Sequence, residues 1–467
     1  MKVRIKTDRP EVFFGEGNKV NMMVELKAPE TGQDKRNPLS ICAVLDRSGS
    51  MGGDKIEHLK QSMYKLIDHM TEQDSLALVF FDDCIEAEEF KSMGSSSKEM
   101  MKAKVSALHS RGSTDIGSAL KRAALMFKSH EAGAGGVERI MLLTDGEANY
   151  GATKPEDFAP IVASVRDGVT LSCFGYGVGF NEDLLQGLSK AGKGGNYFIE
   201  TPDSVAKVFA VELGGLLSCY AQQIGLSVKP HAGVKVIDVL NDMEVKTAEE
   251  DGVQVTVVDI GDMFCGEKRK VLVRLECEKR DQALPRHQTI ADVCVIYSPL
   301  RETSVLKAEE KIKIRFVKTK EEATQAPDQE VAEQVAILEA ANAQIKAKEL
   351  ADRGDYASAN VVWHGAISSL KSIGSADAVR YASGMEGMVH TFSADNYSTG
   401  GVLAKGLMTC STSALRGRVA DNFGYACAST DLDSLNDQMR GLVADFTTGT
   451  KASGKTDDNE DDPEDKA

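Results

Sequence analysis

Ala43-Val44-Leu45-Asp46-Arg47-Ser48-Gly49-Ser50-Met51 decides how the chain is read. The apolar run Ile41 to Leu45 ends abruptly in an acid, two hydroxyls and glycines, and an amphipathic segment begins near Asp54. That order reads as a buried strand, a turn and a helix. The turn presents one carboxylate and two hydroxyls at alternate positions, Asp46, Ser48 and Ser50. Small hard oxygen ligands of this kind suit Mg²⁺, which takes about six oxygens near ~2.1 Å and usually keeps several waters. A strand ending in Asp followed by serines is equally the start of an N-capped helix. Oxygen ligands from other strand ends separate the two readings.

Two further sources follow. Arg111-Gly112-Ser113-Thr114-Asp115-Ile116-Gly117 is a glycine-flanked turn ahead of an apolar helix and offers the hydroxyl of Thr114. Ile140-Met141-Leu142-Leu143-Thr144-Asp145-Gly146 is a second apolar strand ending in an acid. In this order the three resemble the metal-ion-dependent adhesion site of von Willebrand factor type A (VWA) domains. Carried over position by position, the family's D-x-S-x-S falls on Asp46, Ser48 and Ser50, its threonine on Thr114 and its later aspartate on Asp145. The resemblance implies a Rossmann-like α/β domain and a bound Mg²⁺, with Ca²⁺ or Mn²⁺ as alternatives. It also implies an open metal position that docks an Asp or Glu of a partner protein rather than catalysing a reaction. Asp54 lies where integrin β-type domains place an acidic pair for a second calcium, but Gly53 occupies the neighbouring position. Asp54 is therefore read as a first-turn acid that favours the helix dipole. Asp115 is read as a helix-start residue, Glu147 as a loop acid, and Asp82 and Asp83 as rim residues.

The 467 residues allow about three domains at ~150 each. A hydrophobic content of 42% supports sizeable cores. The formal charge of −16 favours solubility and argues against a broad nucleic-acid surface. The N-terminal Met1 to Lys6 lacks the apolar core of a signal peptide, and no stretch has the length of a membrane span. The nine cysteines form no C-x-x-C pair and no zinc spacing. Together these features lead to the expectation of a cytoplasmic protein.

Residues 1–37 read as alternating strands that must pair elsewhere, and residues 38–220 as the VWA domain. Its expected strands are Ser40–Asp46, Ser75–Asp82, Arg139–Asp145, Val169–Gly175 and Asn196–Glu200, with helices between them. Such alternation implies a mainly parallel sheet whose ligands sit beyond the strands' carboxyl ends. From 221 to 320 the period changes to two, as in a β-sandwich that the N-terminal strands complete. The VWA domain is then inserted in, or followed by, that sandwich. Residues 328–446 read as a helical hairpin or bundle, ending in a helix from Leu432 to Phe446. Arg353-Gly354-Asp355 between the first two helices reads as a C-cap glycine followed by an N-cap aspartate, not as an adhesion tripeptide. Residues 447–467 form an acidic tail that is disordered by composition. Gly449 to Thr456 fits the P-loop pattern, but a helix precedes it and a run of acids follows, so it is read as coincidence.

The order of VWA domain, β-rich segment and helices is similar to bacterial VWA proteins and to the corresponding region of plant VWA ubiquitin ligases. The ligases' zinc-binding RING has no counterpart in the cysteine pattern. The expected function is a non-enzymatic, Mg²⁺-dependent protein-binding scaffold. The competing readings are an accessory subunit to a partner ATPase, a ligase-like component, and a metal-dependent hydrolase. Against hydrolysis, there is no H-E-x-x-H, and His109 reads as a helix-end residue. Removal of residues 447–467 is predicted to leave the thermal midpoint unchanged by calorimetry; a fall of several degrees contradicts a disordered tail.

Overall fold

Strands open the chain: β1 (Lys2–Thr7), β2 (Glu11–Phe13) and β3 (Asn18–Lys27). An α/β unit follows, built from β4 (Leu39–Asp46), α1 (Asp54–His69), β5 (Ser75–Phe81), β6 (Ile85–Ser92), α2 (Ser95–Ser106), α3 (Ile116–Ser129), β7 (Val137–Thr144), α4 (Pro155–Ala163), β8 (Val169–Tyr176), α5 (Glu182–Ala191), β9 (Lys193–Ile199) and α6 (Pro202–Leu217). Then come β10 (Cys219–Pro230), β11 (Val234–Val239), β12 (Glu244–Glu250), β13 (Val253–Phe264), β14 (Lys268–Cys277), β15 (Gln288–Pro299) and β16 (Leu306–Val317). A short α7 (Lys320–Ala323) leads to α8 (Gln329–Asp352), α9 (Tyr356–Ile373) and α10 (Ala376–Glu386). This computed structural model describes residues 1–30, 36–131, 133, 135–177, 180–199, 202–284, 286–300, 304–323, 326–387, 393, 397, 411, 414 and 415. The expected helix at Leu432–Phe446, the acidic tail and the P-loop-like stretch lie outside the described residues.

The α/β sheet has the strand order β6-β5-β4-β7-β8-β9. All its neighbours are parallel except β5 and β6. Every residue of β4, β7 and β8 is buried, because helices cover both faces of the sheet. On one face α1 contributes Leu59, Met63, Leu66 and Ile67, beside Val205 and Phe209 of α6. On the other, Leu120 and Phe127 of α3 meet Leu184 and Leu188 of α5. The chain runs from β4 out to β6 on one side and returns on the other at β7. The crevice between the ends of β4 and β7 is therefore the topological switch point where such sheets bind ligands.

The remaining strands form a four-stranded sheet, β1-β3-β14-β11, and a six-stranded sheet, β12-β13-β10-β15-β16-β2. One core fills the space between them: Met22, Val24 and Leu26 of β3 with Val271 and Val273 of β14, against Leu226, Val228, Val293 and Ile314. N-terminal and later strands interleave in both sheets, as β3 pairs β14 and β2 pairs β16. The α/β unit thus sits between β3 and β10 in the chain. The join lies at Ser218 rather than at 220, because β10 already begins at Cys219. At this join the guanidinium of Arg139 on β7, 3% exposed, lies 3.4 Å from Glu212 of α6 and 3.9 Å from Asp262 of β13.

The outer face of the four-stranded sheet carries Met23 and Leu272, which pack with Leu338 and Ala341 of α8 and with buried Trp363 of α9. Asp355 caps α9 by accepting from Ser358 N at 3.1 Å, and Gly354 takes a positive φ of 80°, so Arg353-Gly354-Asp355 is a helix-to-helix turn. Asp328 caps α8 through Glu330 N and Val331 N. Glu330 is met by Lys6 at 2.8 Å, Arg4 at 3.1 Å and Lys270 at 3.3 Å. Burial alone would raise the Glu330 carboxyl, but the Lys6 and Lys270 ammoniums outweigh it and hold the pKa down at about 2. A depressed folded pKa means that this contribution is complete above the ordinary value of 4.5 and is lost as pH falls towards about 2. The stability gap between the wild type and Glu330→Gln is predicted to shrink steadily from pH 5 to pH 2 in urea titrations; a gap independent of pH contradicts the assignment.

Candidate metal centre

Asp46 ends β4 with its carboxylate fully buried. Its Oδ1 accepts from Ser48 N at 2.8 Å, and its Oδ2 accepts from the Thr144 hydroxyl. Thr144 Oγ1 in turn accepts from Gly146 N at 2.8 Å, so the ends of β4 and β7 are locked together. Burial pushes the Asp46 carboxyl up to about 7, opposed by the Ser48 and Thr144 hydrogen bonds and reinforced by the Asp145 charge. A single 3-10 turn, Gly49–Met51, carries Ser50 beside Ser48, with their hydroxyl oxygens 3.1 Å apart.

Backbone hydrogen bonds bring the second turn to the first. Arg111 N donates to Arg47 O at 2.7 Å, and Gly49 N donates to Gly112 O at 3.1 Å. Gly112 has a φ of +68°, and a Cβ there would come within 2.6 Å of Asp83 Oδ1, so the approach requires glycine. Thr114 follows, fully buried. Its amide donates to Asn149 Oδ1 at 2.8 Å, and its carbonyl accepts from Asn149 N and Tyr150 N at 3.3 Å each. The backbone of Thr114 is thereby fixed from the loop after β7. Its Oγ1 is buried and makes no hydrogen bond.

Asp145 is also fully buried; its Oδ2 receives Lys55 Nζ at 2.8 Å, and its carbonyl accepts from Asn181 N at 3.0 Å. The residues fit a hard divalent cation. A buried hydroxyl without a partner and two desolvated carboxylates all gain from one, and the remaining donors, Ser48 and Ser50, are uncharged oxygens. Asp115 caps α3 through Ser118 N, while Asp54 and Glu147 are exposed at a helix start and in a loop. His109 is exposed, in the loop after α2.

Asp82 departs from its expected place on the rim. It is fully buried, and its Oδ2 accepts from Arg47 Nε at 2.9 Å and Arg111 Nε at 2.7 Å. Both arginines also reach Glu86. Burial opposes ionisation of Asp82, yet the two guanidinia hold its carboxyl below the usual range. One acid thus ties the Asp46 turn to the Thr114 turn. Asp82, Asp83 and Cys84 are close enough to suggest a metal cluster, but Asp82 is already committed to two arginines. Asp82, Lys55, Thr144 and Asn149 are the functional neighbours that the motif spacing does not reveal.

The sequence model of the von Willebrand factor type A domain family matches residues 40–210. This chain carries a VWA domain. Among its relatives, protein sll0103 of Synechocystis sp. is 27% identical over 291 residues, covering 59% of this chain and 65% of that protein. Escherichia coli YfbK is 30% identical over 215 residues, covering 44% of this chain and 36% of that protein. The match spans about two thirds of the first relative's length and about one third of the second's. A solved von Willebrand factor type A structure from Catenulispora acidiphila superposes with a TM-score of 0.68 at 17% identity, covering 89% of this chain and 96% of that one. That likeness is one of fold.

Asp82→Ala is predicted to cost about 3 kcal/mol in urea denaturation, because Arg47 and Arg111 lose the buried acid between them. A loss below roughly 0.5 kcal/mol, the range of ordinary surface changes, contradicts the staple.

Proposed function

We propose that the chain is a Mg²⁺-dependent protein-docking module without a catalytic role. Ser48, Ser50 and Thr114 hold the cation, and Asp46 and Asp145 serve it directly or through water. VWA domains commonly mediate protein–protein interactions, and here these side chains lie around the crevice between the ends of β4 and β7. The observation that carries the proposal is the buried Thr114 Oγ1, which has no hydrogen-bond partner on a backbone fixed by three hydrogen bonds. A bound Mg²⁺ supplies a hard positive centre with a position left for one more oxygen. Three of the five ligands are hydroxyls, which add no negative charge that would repel a partner's Asp or Glu. Ser48 N and Thr144 fix the Asp46 carboxylate, and Asn149 fixes Thr114.

The two facing sheets act as a β-sandwich that presents the docking domain, and the C-terminal helices act as a hairpin bundle on its outer face. Cytoplasmic docking agrees with Cys84, an exposed free thiol. Among the described residues no helix is long and apolar enough to cross a membrane.

Calorimetric titration with Mg²⁺ tests the site. Asp46→Ala is expected to abolish binding and Thr114→Ala to weaken it by roughly tenfold or more. Affinity capture is expected to retain a partner in Mg²⁺ and lose it in EDTA. Unchanged Mg²⁺ binding in both variants, or the same partner in both buffers, overturns the docking function.

A further inference from the structure

Lys55 is the one cationic side chain that the structure places in contact with a proposed metal ligand among the described residues. It lies in the first turn of α1, where a positive charge opposes the helix dipole. The helix dipole therefore does not explain its placement. Its Nζ sits 2.8 Å from Asp145 Oδ2, with the side chain 26% exposed and Asp145 fully buried. Room for its stem is built into the opposite loop. Gly177 has a φ of +77°, and a Cβ there would lie 2.7 Å from Lys55 Cε. The ammonium is thus seated by two elements, α1 and the end of β8.

The nearby guanidinia do not do this work. Arg47 and Arg111 are both directed to Asp82 and Glu86. Asp46 and Asp145 together cancel a divalent cation. The Lys55 ammonium leaves the cluster with one unit of positive charge, and a single incoming carboxylate neutralises it. Without Lys55 the loaded site is already neutral, and the same carboxylate makes it negative. One Asp145 oxygen is also engaged by the ammonium, which favours a water-bridged place for this acid at the metal.

We propose that Lys55 sets the charge of the metal site, weakening the grip on the resident cation in order to strengthen capture of a monoanionic carboxylate. This rests on the docking function proposed above. It makes Lys55 a positioning residue that acts through Asp145.

The test is calorimetric titration of the full chain with Mg²⁺ alone, using wild type, Lys55→Met, Lys55→Gln, Lys55→Arg and Asp46→Ala, with the thermal midpoint of each as a check on folding. Lys55→Met and Lys55→Gln are expected to bind Mg²⁺ about tenfold more tightly than wild type, and Lys55→Arg to stay near it. A residue that merely supported the fold would lower affinity or leave it unchanged when replaced. Equal or weaker binding in folded Lys55→Met and Lys55→Gln, with binding still abolished by Asp46→Ala, overturns the role of Lys55 and leaves the metal site standing. Binding in Asp46→Ala equal to wild type overturns the metal site and this inference together.

Discussion

A carboxylate removed from water is the constraint on which the rest of the structure depends. Asp46 is fully buried at the end of a strand with no exposed residue, and its burial raises its pKa to about 7. A charge in such a place needs hydrogen bonds and a cation. The protein supplies the hydrogen bonds from Ser48 N and Thr144. Those two contacts decide where the first turn sits and how the ends of β4 and β7 meet. In the function proposed above, the cost of burying Asp46 is offset because its fixed carboxylate stands beside the Ser48, Ser50 and Thr114 hydroxyls as part of the cation site.

The surrounding architecture makes the same point at larger scale. The second turn is brought to Asp46 by backbone hydrogen bonds and by the Arg47–Asp82–Arg111 staple. The loop after β7 fixes Thr114 through Asn149. Strand β7 then links both ends of the domain. Thr144 and Asp145 stand at its crevice end, and Arg139 lies against Glu212 and Asp262 where the flanking sheets join. The site is therefore carried on an element anchored at its far end by buried charges. Loops on a rigid scaffold are where binding residues concentrate.

Much of this was legible in the sequence because it is local. Asp46, Ser48 and Ser50 share one turn, and the apolar runs at 41–45 and 140–143 show which turn follows a buried strand. The alternation of strand and helix patterns placed Asp46 and Asp145 on one sheet edge. The missed pieces depend on partners far away in the chain. Asp82 reads as a surface acid until Arg47 and Arg111 close over it, 35 and 29 residues away. Lys55 carries no local signal of its partner, since Asp145 lies 90 residues on. Edge strand β6 carries Glu86, Glu88 and Glu89 and has no buried residue, so no apolar pattern announces it. Strand β12 is exposed at every position and is defined only by its pairing with β13.

The most direct measurement is a crystal structure of the full chain grown with Mn²⁺ in place of Mg²⁺, with the metal located by its anomalous scattering. One strong peak is expected in the crevice between β4 and β7, in direct contact with the Ser48, Ser50 and Thr114 hydroxyl oxygens, with Asp46 and Asp145 adjacent. No peak there at saturating Mn²⁺, with Thr144 still bound to Asp46 and Lys55 to Asp145, would contradict a metal centre and return these residues to a purely structural role.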